Sequence, residues 1–195
     1  FFGQVSAIKV SYCYSHDMGR CHIFSSGQNV TIEYSCFGDY TSSAATHAEA
    51  MSIDPQLGSS VRNWTVRYCL FNHVEGTSGV MFNGQGMNFY GNVFYRPTGD
   101  TWESGNGLVG GWTGASGEVM KDYLVYNNSF INVNTTVLTT LPQTYSGCAA
   151  WNNIFYNCST PSFAKFTSHN YNHFINSGGT SGEANGTSAT SGDPF

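Results

Sequence analysis

Several side chains that could do chemistry in this chain fall in three short segments. Only 10% of the residues are charged, so the concentration of ionisable groups at residues 38–50, 72–76 and 95–107 is marked. These segments, together with residues 16–17, contain His16, Asp17, Asp39, His47, Glu49, His73, Glu75, Arg96, Asp100, Trp102 and Glu103. Polar groups beside an indole ring that can stack on a sugar are typical of a carbohydrate site. We therefore predict carbohydrate binding by Trp102, His47, His73 and Asp100.

The same segments could support catalysis. A glycoside hydrolase needs two carboxyl groups about 5–9.5 Å apart, and Glu49, Glu75 and Glu103 could supply such a pair. Arg96 is the one cation in these segments. We treat these four residues as the catalytic candidates if the protein is an enzyme.

A metal is the third possibility for these segments. His47 and Glu49, and likewise His73 and Glu75, form two His-x-Glu pairs, and imidazole and carboxylate groups are common metal ligands. Such pairs also arise by chance in polar loops. We predict no metal and no cofactor, with Ca²⁺ as the alternative.

A repeated phrase in the sequence must position these segments. The copies are AIKVSYCY, VTIEYSCF, WTVRYCLF, MNFYGNVF, YLVYNNSF, CAAWNNIF and TSHNYNHF, which close at Tyr14, Phe37, Phe71, Phe94, Phe130, Phe155 and Phe174. A phrase that returns every twenty or more residues predicts a solenoid, because each repeat buries its apolar face against its neighbours. An inward column is predicted at Ile32, Val66, Phe89, Val125 and Ala150. The next residues along the strands form an outward column, Val10, Glu33, Arg67, Tyr90, Tyr126 and Trp151.

Asparagine recurs two residues before the closing aromatic, at Asn92, Asn128, Asn153 and Asn172. Asparagine tolerates the left-handed backbone of a sharp bend, and its amide can bond to the asparagines above and below it. An asparagine ladder followed by an aromatic stack resembles the right-handed parallel β-helices of the pectate-lyase-like superfamily. A second turn column is predicted at Asn29, Asn63, Gly86, Asp122 and Gly147.

The resemblance implies three strands per coil and right-handed crossovers. We predict an all-β, right-handed parallel β-helix of about seven coils with three short strands each. It covers residues 1–176, and a Gly/Ser/Thr-rich tail at 177–195 packs along the solenoid. The coils that close at Phe71 and Phe130 are enlarged, and extra length in a solenoid forms loops on one side, often the binding side. The three polar segments should therefore meet at one edge.

The catalytic motifs of the superfamily are missing from this sequence. Its uronate lyases use Ca²⁺ or cationic side chains and an Arg or Lys base, whereas Lys9, Lys121 and Lys165 lie far apart here. The Asn-Thr-Asp, Asp-Asp, Gly-His-Gly and Arg-Ile-Lys elements of polygalacturonases are absent. We therefore favour an extracellular or cell-surface scaffold, structural or glycan-associated, over a polysaccharide lyase or glycoside hydrolase.

Several partners can be assessed from composition. A net charge of −5 with seven Lys and Arg argues against nucleic acid, which needs a basic surface, and no segment has the apolar length of a membrane span. We expect a polysaccharide or glycan partner. The outward stripe Tyr90, Tyr126 and Trp151 is either covered by the tail or offers an aromatic platform.

The ends and corners of the solenoid suggest further features. No capping helix is evident at either end, so the coils could stack head to tail, although the chain could also be an excerpt of a longer protein. Asn29 and Asn63 are the best glycosylation acceptors among the Asn-X-Ser/Thr sites. Cys13 and Cys36 occupy the same repeat position, which makes them the disulfide candidates, with two buried thiols as the alternative.

Overall fold

Parallel strands stacked in three faces form nearly all of the described structure. The computed structural model describes residues 2–19, 21–38, 49–55, 60–73, 78–98, 108–110, 120–133, 138–140, 145–158, 163, 166–178 and 182–192. In these ranges every strand pair is parallel. They contain no α-helix and no helix of the length and apolarity that a membrane crossing requires.

The strands of successive coils stack to form the three faces. Face 1 consists of β2 (Lys9–Ser11), residues 28–33 of β4 (Cys21–Glu33), β7 (Arg62–Arg67), β10 (Gln85–Tyr90), β13 (Met120–Tyr126), β16 (Tyr145–Ser146), β17 (Ala149–Trp151) and β19 (Ser168–Asn170). Face 2 consists of β3 (Tyr14–Ser15), β5 (Cys36–Phe37), β8 (Leu70–Asn72), β11 (Val93–Tyr95), β14 (Ser129–Ile131), β18 (Ile154–Tyr156), β20 (His173–Ile175) and β21 (Thr187–Ala189).

The third face confirms the predicted third strand in five coils, whereas Phe163 and Phe166, in a further segment predicted as a third strand, are not in a strand. It consists of residues 21–25 of β4, β6 (Glu49–Ile53), β9 (Ser78–Phe82), β12 (Leu108–Gly110) and β15 (Leu138–Thr140). β1 (Phe2–Ser6) pairs with residues 24–28 of β4. Since parallel crossovers are right-handed, the molecule is a right-handed parallel β-helix, as predicted.

The predicted inward column forms the core beneath face 1. Ile32, Val66, Phe89, Val125 and Ala150 are consecutive partners in the register and are all buried. The first repeat departs from the prediction by one residue, because Val10 pairs with Ile32 and Ser11 pairs with Glu33. Val10 therefore belongs to the inward column.

The closing position of the first repeat is corrected in the same way. Ser15, and not Tyr14, pairs with Phe37, and the ring of Tyr14 is 61% exposed. Aromatic identity suggested Tyr14, but strand alternation decides which residue points inward. Tyr14 lies on the outer surface of face 2.

The other closing residues form the predicted aromatic stack inside face 2. Successive ring centroids lie 4.5–5.7 Å apart with nearly parallel planes. The stack consists of Phe37, Phe71, Phe94, Phe130, Phe155 and Phe174, all buried. Residues distant in sequence are therefore vertical neighbours.

The asparagine ladder lies at the corner between faces 1 and 2. Asn128 Nδ2 donates to Asn153 Oδ1 and to the carbonyl of Phe89, both at 3.0 Å, and the pattern repeats along the column. The left-handed residue is the one before each ladder asparagine, for example Gly91 before Asn92. The ladder side chains serve instead as buried hydrogen-bond partners for the backbone.

The C-terminal segment, predicted as a tail along the solenoid, contains one further strand. β21 pairs in parallel with β20 and places Ser188 beside Phe174, so residues 187–189 extend face 2 by one strand. Just before this strand, the carboxylate of Glu183 accepts hydrogen bonds from the backbone N–H and the side chain of Asn172. The described part of the segment therefore lies at the end of the coil stack.

Candidate functional site

Five of the predicted edge residues lie in the described ranges: Glu49, His73 and Arg96, together with His16 and Asp17, which bond to each other at the surface at 2.6 Å. Glu49 begins β6, while His73 and Arg96 directly follow β8 and β11, so all three belong to the corner that leads from face 2 to face 3. Glu49 is 1% exposed, and its Oε2 accepts a hydrogen bond from the thiol of Cys21 at 3.3 Å. Arg96 is also buried, and its backbone N–H donates to Ile131. Glu49 and Arg96 therefore have little contact with solvent.

The remaining edge candidates lie outside the described residues. These are Asp39, His47, Glu75, Asp100, Trp102 and Glu103. Each predicted His-x-Glu pair thus has one described member, Glu49 or His73. Within the described ranges, no group of three or more His, Cys, Asp and Glu side chains could hold a metal ion.

The prediction that Cys13 and Cys36 share a repeat position is wrong by one residue. Cys36 pairs with Tyr14, and the backbone N–H of Cys13 donates to Ser35 Oγ at 3.1 Å. Neither cysteine forms a disulfide. The error has the same cause as that at Tyr14, since both rest on the alignment of the first repeat.

Asn29 and Asn63 lie on adjacent coils at one corner. The flanking register pairs Val30 with Trp64, and both asparagines are exposed with left-handed backbones. Asn63 Nδ2 donates to Asn29 Oδ1 at 3.0 Å. The predicted turn role is confirmed, while glycosylation at these two sites stays a prediction.

The most extensive surface feature is an aromatic stripe that supplies one ring from each of six successive coils. Tyr12, Tyr34 and Tyr68 are 80%, 45% and 47% exposed. Neighbouring centroids are 5.3, 5.2, 5.5 and 4.8 Å apart along the stripe from the first ring to the fifth, and the sixth ring follows in register. The aromatic stripe consists of Tyr12, Tyr34, Tyr68, Tyr90, Tyr126 and Trp151.

Backbone geometry explains how the stripe passes from a corner to a strand. The first three tyrosines occupy the left-handed corner position, and the next three rings occupy the outward position of face 1. Gly91 makes the crossing possible, because a Cβ there would lie 2.6 Å from the ring of Tyr68. Tyr68 covers Gly91 and meets the ring of Tyr90 nearly edge-on, at 86°.

A charged network supports the middle of the stripe. Glu33 pairs with Lys9 and accepts a hydrogen bond from Arg67 Nε at 2.8 Å. Arg67 also donates to the hydroxyl of Tyr90 at 2.7 Å, and its guanidinium lies 5.9 Å from the ring centroids of Tyr68 and Tyr90. These bonds from Lys9 and Arg67 lower the pKa of Glu33. The network fixes the rings and neutralises the carboxylate.

The sequence pattern had indicated only the second half of the stripe. Tyr90, Tyr126 and Trp151 were predicted as an outward column, whereas no role was predicted for the three corner tyrosines. The signal was present, since Tyr12, Tyr34 and Tyr68 each directly follow the outward residue of their strand. Stacking the coils was needed to join the two groups.

Comparison with known proteins supports the fold. The chain matches no known protein family and no curated protein. It is similar to a solved structure described as the complex of XylC with xylose, with a TM-score of 0.51 and 9% sequence identity. The match covers 97% of this chain but 39% of that chain. At this level of identity, what the similarity shows is a common fold, the parallel β-helix.

Proposed function

We propose that this protein is an extracellular, non-catalytic β-helix scaffold that binds a polysaccharide chain along the aromatic stripe. The observation that carries the proposal is the supply of one surface ring by each of six successive coils. Parallel coils repeat about every 4.8 Å, so the stripe offers regularly spaced rings to a regularly repeating polymer.

The chemistry of the stripe fits sugar rings. Aromatic side chains combine a large apolar surface with a polar hydroxyl or N–H group, and a sugar likewise has an apolar face edged by hydroxyls. Contiguous exposed apolar surface of this kind marks binding sites in soluble proteins. Because Lys9 and Arg67 already pair with Glu33, we expect charge to contribute little. The rings stack on one another within Tyr12–Tyr34–Tyr68 and within Tyr90–Tyr126, so the polysaccharide should bind through apolar contact with ring edges and hydrogen bonds to the hydroxyls. The xylose named for the similar structure makes xylan a natural first ligand to test.

The enzymatic alternative has weaker support. Of its candidates, Glu49 is buried against Cys21 and Arg96 is buried, whereas Glu75 and Glu103 lie outside the described residues. A general acid or nucleophile must reach the substrate directly. The two described candidates are poorly placed to do so.

Head-to-tail stacking is not included in the proposal. An asparagine ladder could continue into another copy only if its last residue offered donors to the next. Glu183 instead accepts the donors of Asn172, and a carboxylate has acceptors only. The end of the described stack is therefore unsuited to extending the ladder.

The test is binding of xylan, a β-glucan and a polygalacturonate to the wild type and to stripe variants. Tyr34→Asn and Tyr68→Asn remove rings while keeping the corner, because Asn127 and Asn152 occupy the same left-handed position in later coils. Tyr14→Ala is the matched control, since Tyr14 is 61% exposed but lies on face 2.

We expect each stripe variant to weaken binding about three- to tenfold, the effect of losing roughly 0.5–1.5 kcal/mol of contact with one aromatic side chain. The Tyr14→Ala control should bind like the wild type. Equal loss in the control, or no binding of any of the three polymers, would contradict the proposal. Release of new reducing ends or unsaturated products by the wild type would favour the enzymatic alternative.

A further inference from the structure

The C-terminal end of the aromatic stripe opens into a pocket between the last coil of face 1 and the C-terminal segment. Its volume is ≈ 440 Å³, within the range of small-ligand sites. Its lining includes Trp151, His169, Asn170, Tyr171 and Glu183. We propose that this pocket binds the terminal residue of a neutral glycan chain, an inference that rests on the proposed binding of a polysaccharide along the stripe.

The position of the pocket favours a chain end. Trp151 is the last ring of the stripe, and its register partner on the next coil is Asn170. In the described structure, β19 is the last strand of face 1 on this side. Residues 182–184 line the pocket beyond it. A polymer lying on the stripe would meet this segment as a wall.

The walls of the pocket are held in place by hydrogen bonds. Trp151 Nε1 donates to Ser168 Oγ at 3.0 Å, which orients the indole. Glu183, whose side chain is 0% exposed, accepts from Asn172 and lies 3.1 Å from His169 Nδ1. The ring of His169 also stacks on Phe163 at 4.7 Å. A site that is ordered before binding loses less entropy when the ligand arrives.

Polar groups remain available for sugar hydroxyls. Asn170 Oδ1 accepts the backbone N–H groups of Tyr171 and Asn185, at 3.0 and 2.9 Å. Because both bonds come from N–H donors, they identify the accepting atom of the Asn170 amide as the oxygen. The Nδ2 group of Asn170 is then a donor with no partner among the described residues. The same holds for His169 Nε2 and for the hydroxyl of Tyr171, whose side chain is 58% exposed. Together with the indole, they offer stacking and hydrogen bonding to one sugar.

The lining also indicates the class of sugar. The described lining residues include no Lys or Arg, so there is no cation to pair with a uronate. Glu183 supplies a carboxylate already bonded inside the protein. A neutral pyranose, with hydroxyls alone, suits this surface best.

Chain-end binding can be separated from binding along the stripe. Xylan and a neutral β-glucan are compared intact and after partial hydrolysis to chains about tenfold shorter, at constant sugar mass. At constant mass, chains that are about tenfold shorter carry about tenfold more ends. If the pocket binds chain ends, the hydrolysed samples should therefore reach half-saturation of the protein at about tenfold lower sugar mass. If only the stripe binds, the shorter chains should bind equally or more weakly per unit mass, and the inference fails.

Two variants preserve the fold while changing the pocket. Asn170→Asp keeps the acceptor for Tyr171 and Asn185 but removes the Nδ2 donor. Tyr171→Asn removes the ring at a left-handed corner that asparagine occupies in other coils. Each should weaken the end-dependent binding about three- to tenfold, whereas Tyr14→Ala should not.

The two proposals fail in different ways. Tyr34→Asn should weaken binding of the intact polymers and leave the dependence on chain ends. If short chains bind and depend on Asn170 but intact polymers ignore Tyr34, the stripe proposal is wrong and the pocket stands. If Asn170→Asp and Tyr171→Asn leave the end dependence unchanged, or if no short chain binds, the pocket assignment is overturned.

Discussion

Glu183 ends the asparagine ladder by accepting two hydrogen bonds from Asn172. Its Oε2 lies 2.9 Å from the backbone nitrogen of Asn172 and its Oε1 lies 2.6 Å from Asn172 Nδ2. The side-chain oxygens of Asn128, Asn153 and Asn172 each accept the same two donors, the backbone N–H and the Nδ2 of the ladder asparagine in the preceding coil. Glu183 thus takes the place of the next asparagine but offers no donor beyond itself. Its burial makes this contact important for stability.

Glu183→Gln should lower the free energy of unfolding by about 1–3 kcal/mol. The amide group must turn its NH₂ toward at least one of the donors that the carboxylate accepts, which leaves a buried donor unpaired. Urea denaturation measures the change. Asp17→Asn is the control, because Asp17 pairs with His16 at the surface and should contribute less than about 1 kcal/mol. Equal changes in the two variants would show that Glu183 does not cap the ladder.

Gly91→Ala should be more destabilising than Gly182→Ala. Both glycines have left-handed φ values, +66° and +71°, so both substitutions strain the backbone. Only at Gly91 would the new Cβ meet a ring, 2.6 Å from Tyr68 Cδ1, while nothing lies within 4 Å at Gly182. We expect an extra loss of about 1–3 kcal/mol for Gly91→Ala in thermal or urea unfolding.

Gly91→Ala also tests the stripe. Displacement of Tyr68 in Gly91→Ala should weaken polysaccharide binding, whereas Tyr14→Ala, outside both the stripe and the terminal pocket, should not. Identical unfolding free energies for Gly91→Ala and Gly182→Ala would mean that Tyr68 does not rest on Gly91.

Stability should fall in acid partly through Glu33. Hydrogen bonds and charge from Lys9 and Arg67 lower its pKa below the ordinary value of 4.5. A lowered folded-state pKa means that the unfolded chain binds the proton first. The stabilisation by ionised Glu33 is therefore complete at pH values above the pKa of Glu33 in the unfolded chain. It is lost as the pH falls through the lower pKa of Glu33 in the folded protein.

Melting temperature as a function of pH measures this contribution. The wild type should lose stability below about pH 4.5, and Glu33→Gln should reduce that slope. Arg67→Met should reduce it in part, since Lys9 remains. A Glu33→Gln profile parallel to that of the wild type down to low pH would refute the assignment.

The cysteines should differ sharply in reactivity. Cys13 is exposed, whereas burial raises the pKa of Cys69 to about 11 and that of Cys158 to about 12. The thiolate is the reactive form, so iodoacetamide at pH 8 should modify Cys13 well before either of the other two. Peptide mass spectrometry measures the order in which the cysteines are alkylated. Unfolding in urea should abolish the difference between them. Rapid labelling of Cys158 in the folded protein would contradict its burial.

The repeat pattern was sufficient to predict the architecture. Phe37 through Phe174 stack as the recurring phrase indicates, because residues at equal positions in a solenoid must bury against one another. The first repeat shows the limit of that reasoning. Tyr14 looked like a closing aromatic, but the alternation of the strand places Ser15 there.

The candidate site was only partly visible in the sequence. The outward column Tyr90, Tyr126 and Trp151 followed from strand alternation. The continuation through Tyr68 could not be predicted, because it depends on the empty space above Gly91 in the next coil.

By itself, then, the sequence determined the period, the inward column, the ladder and the stacked phenylalanines, since each repeats a local rule in every coil. The tertiary structure decided the features that occur once. Glu183 lies in a segment without the phrase, and its role depends on meeting Asn172 at the end of the stack. The stripe and its terminal pocket likewise arise only when separate coils are brought into register, because contact between coils depends on three-dimensional placement and not on any local pattern.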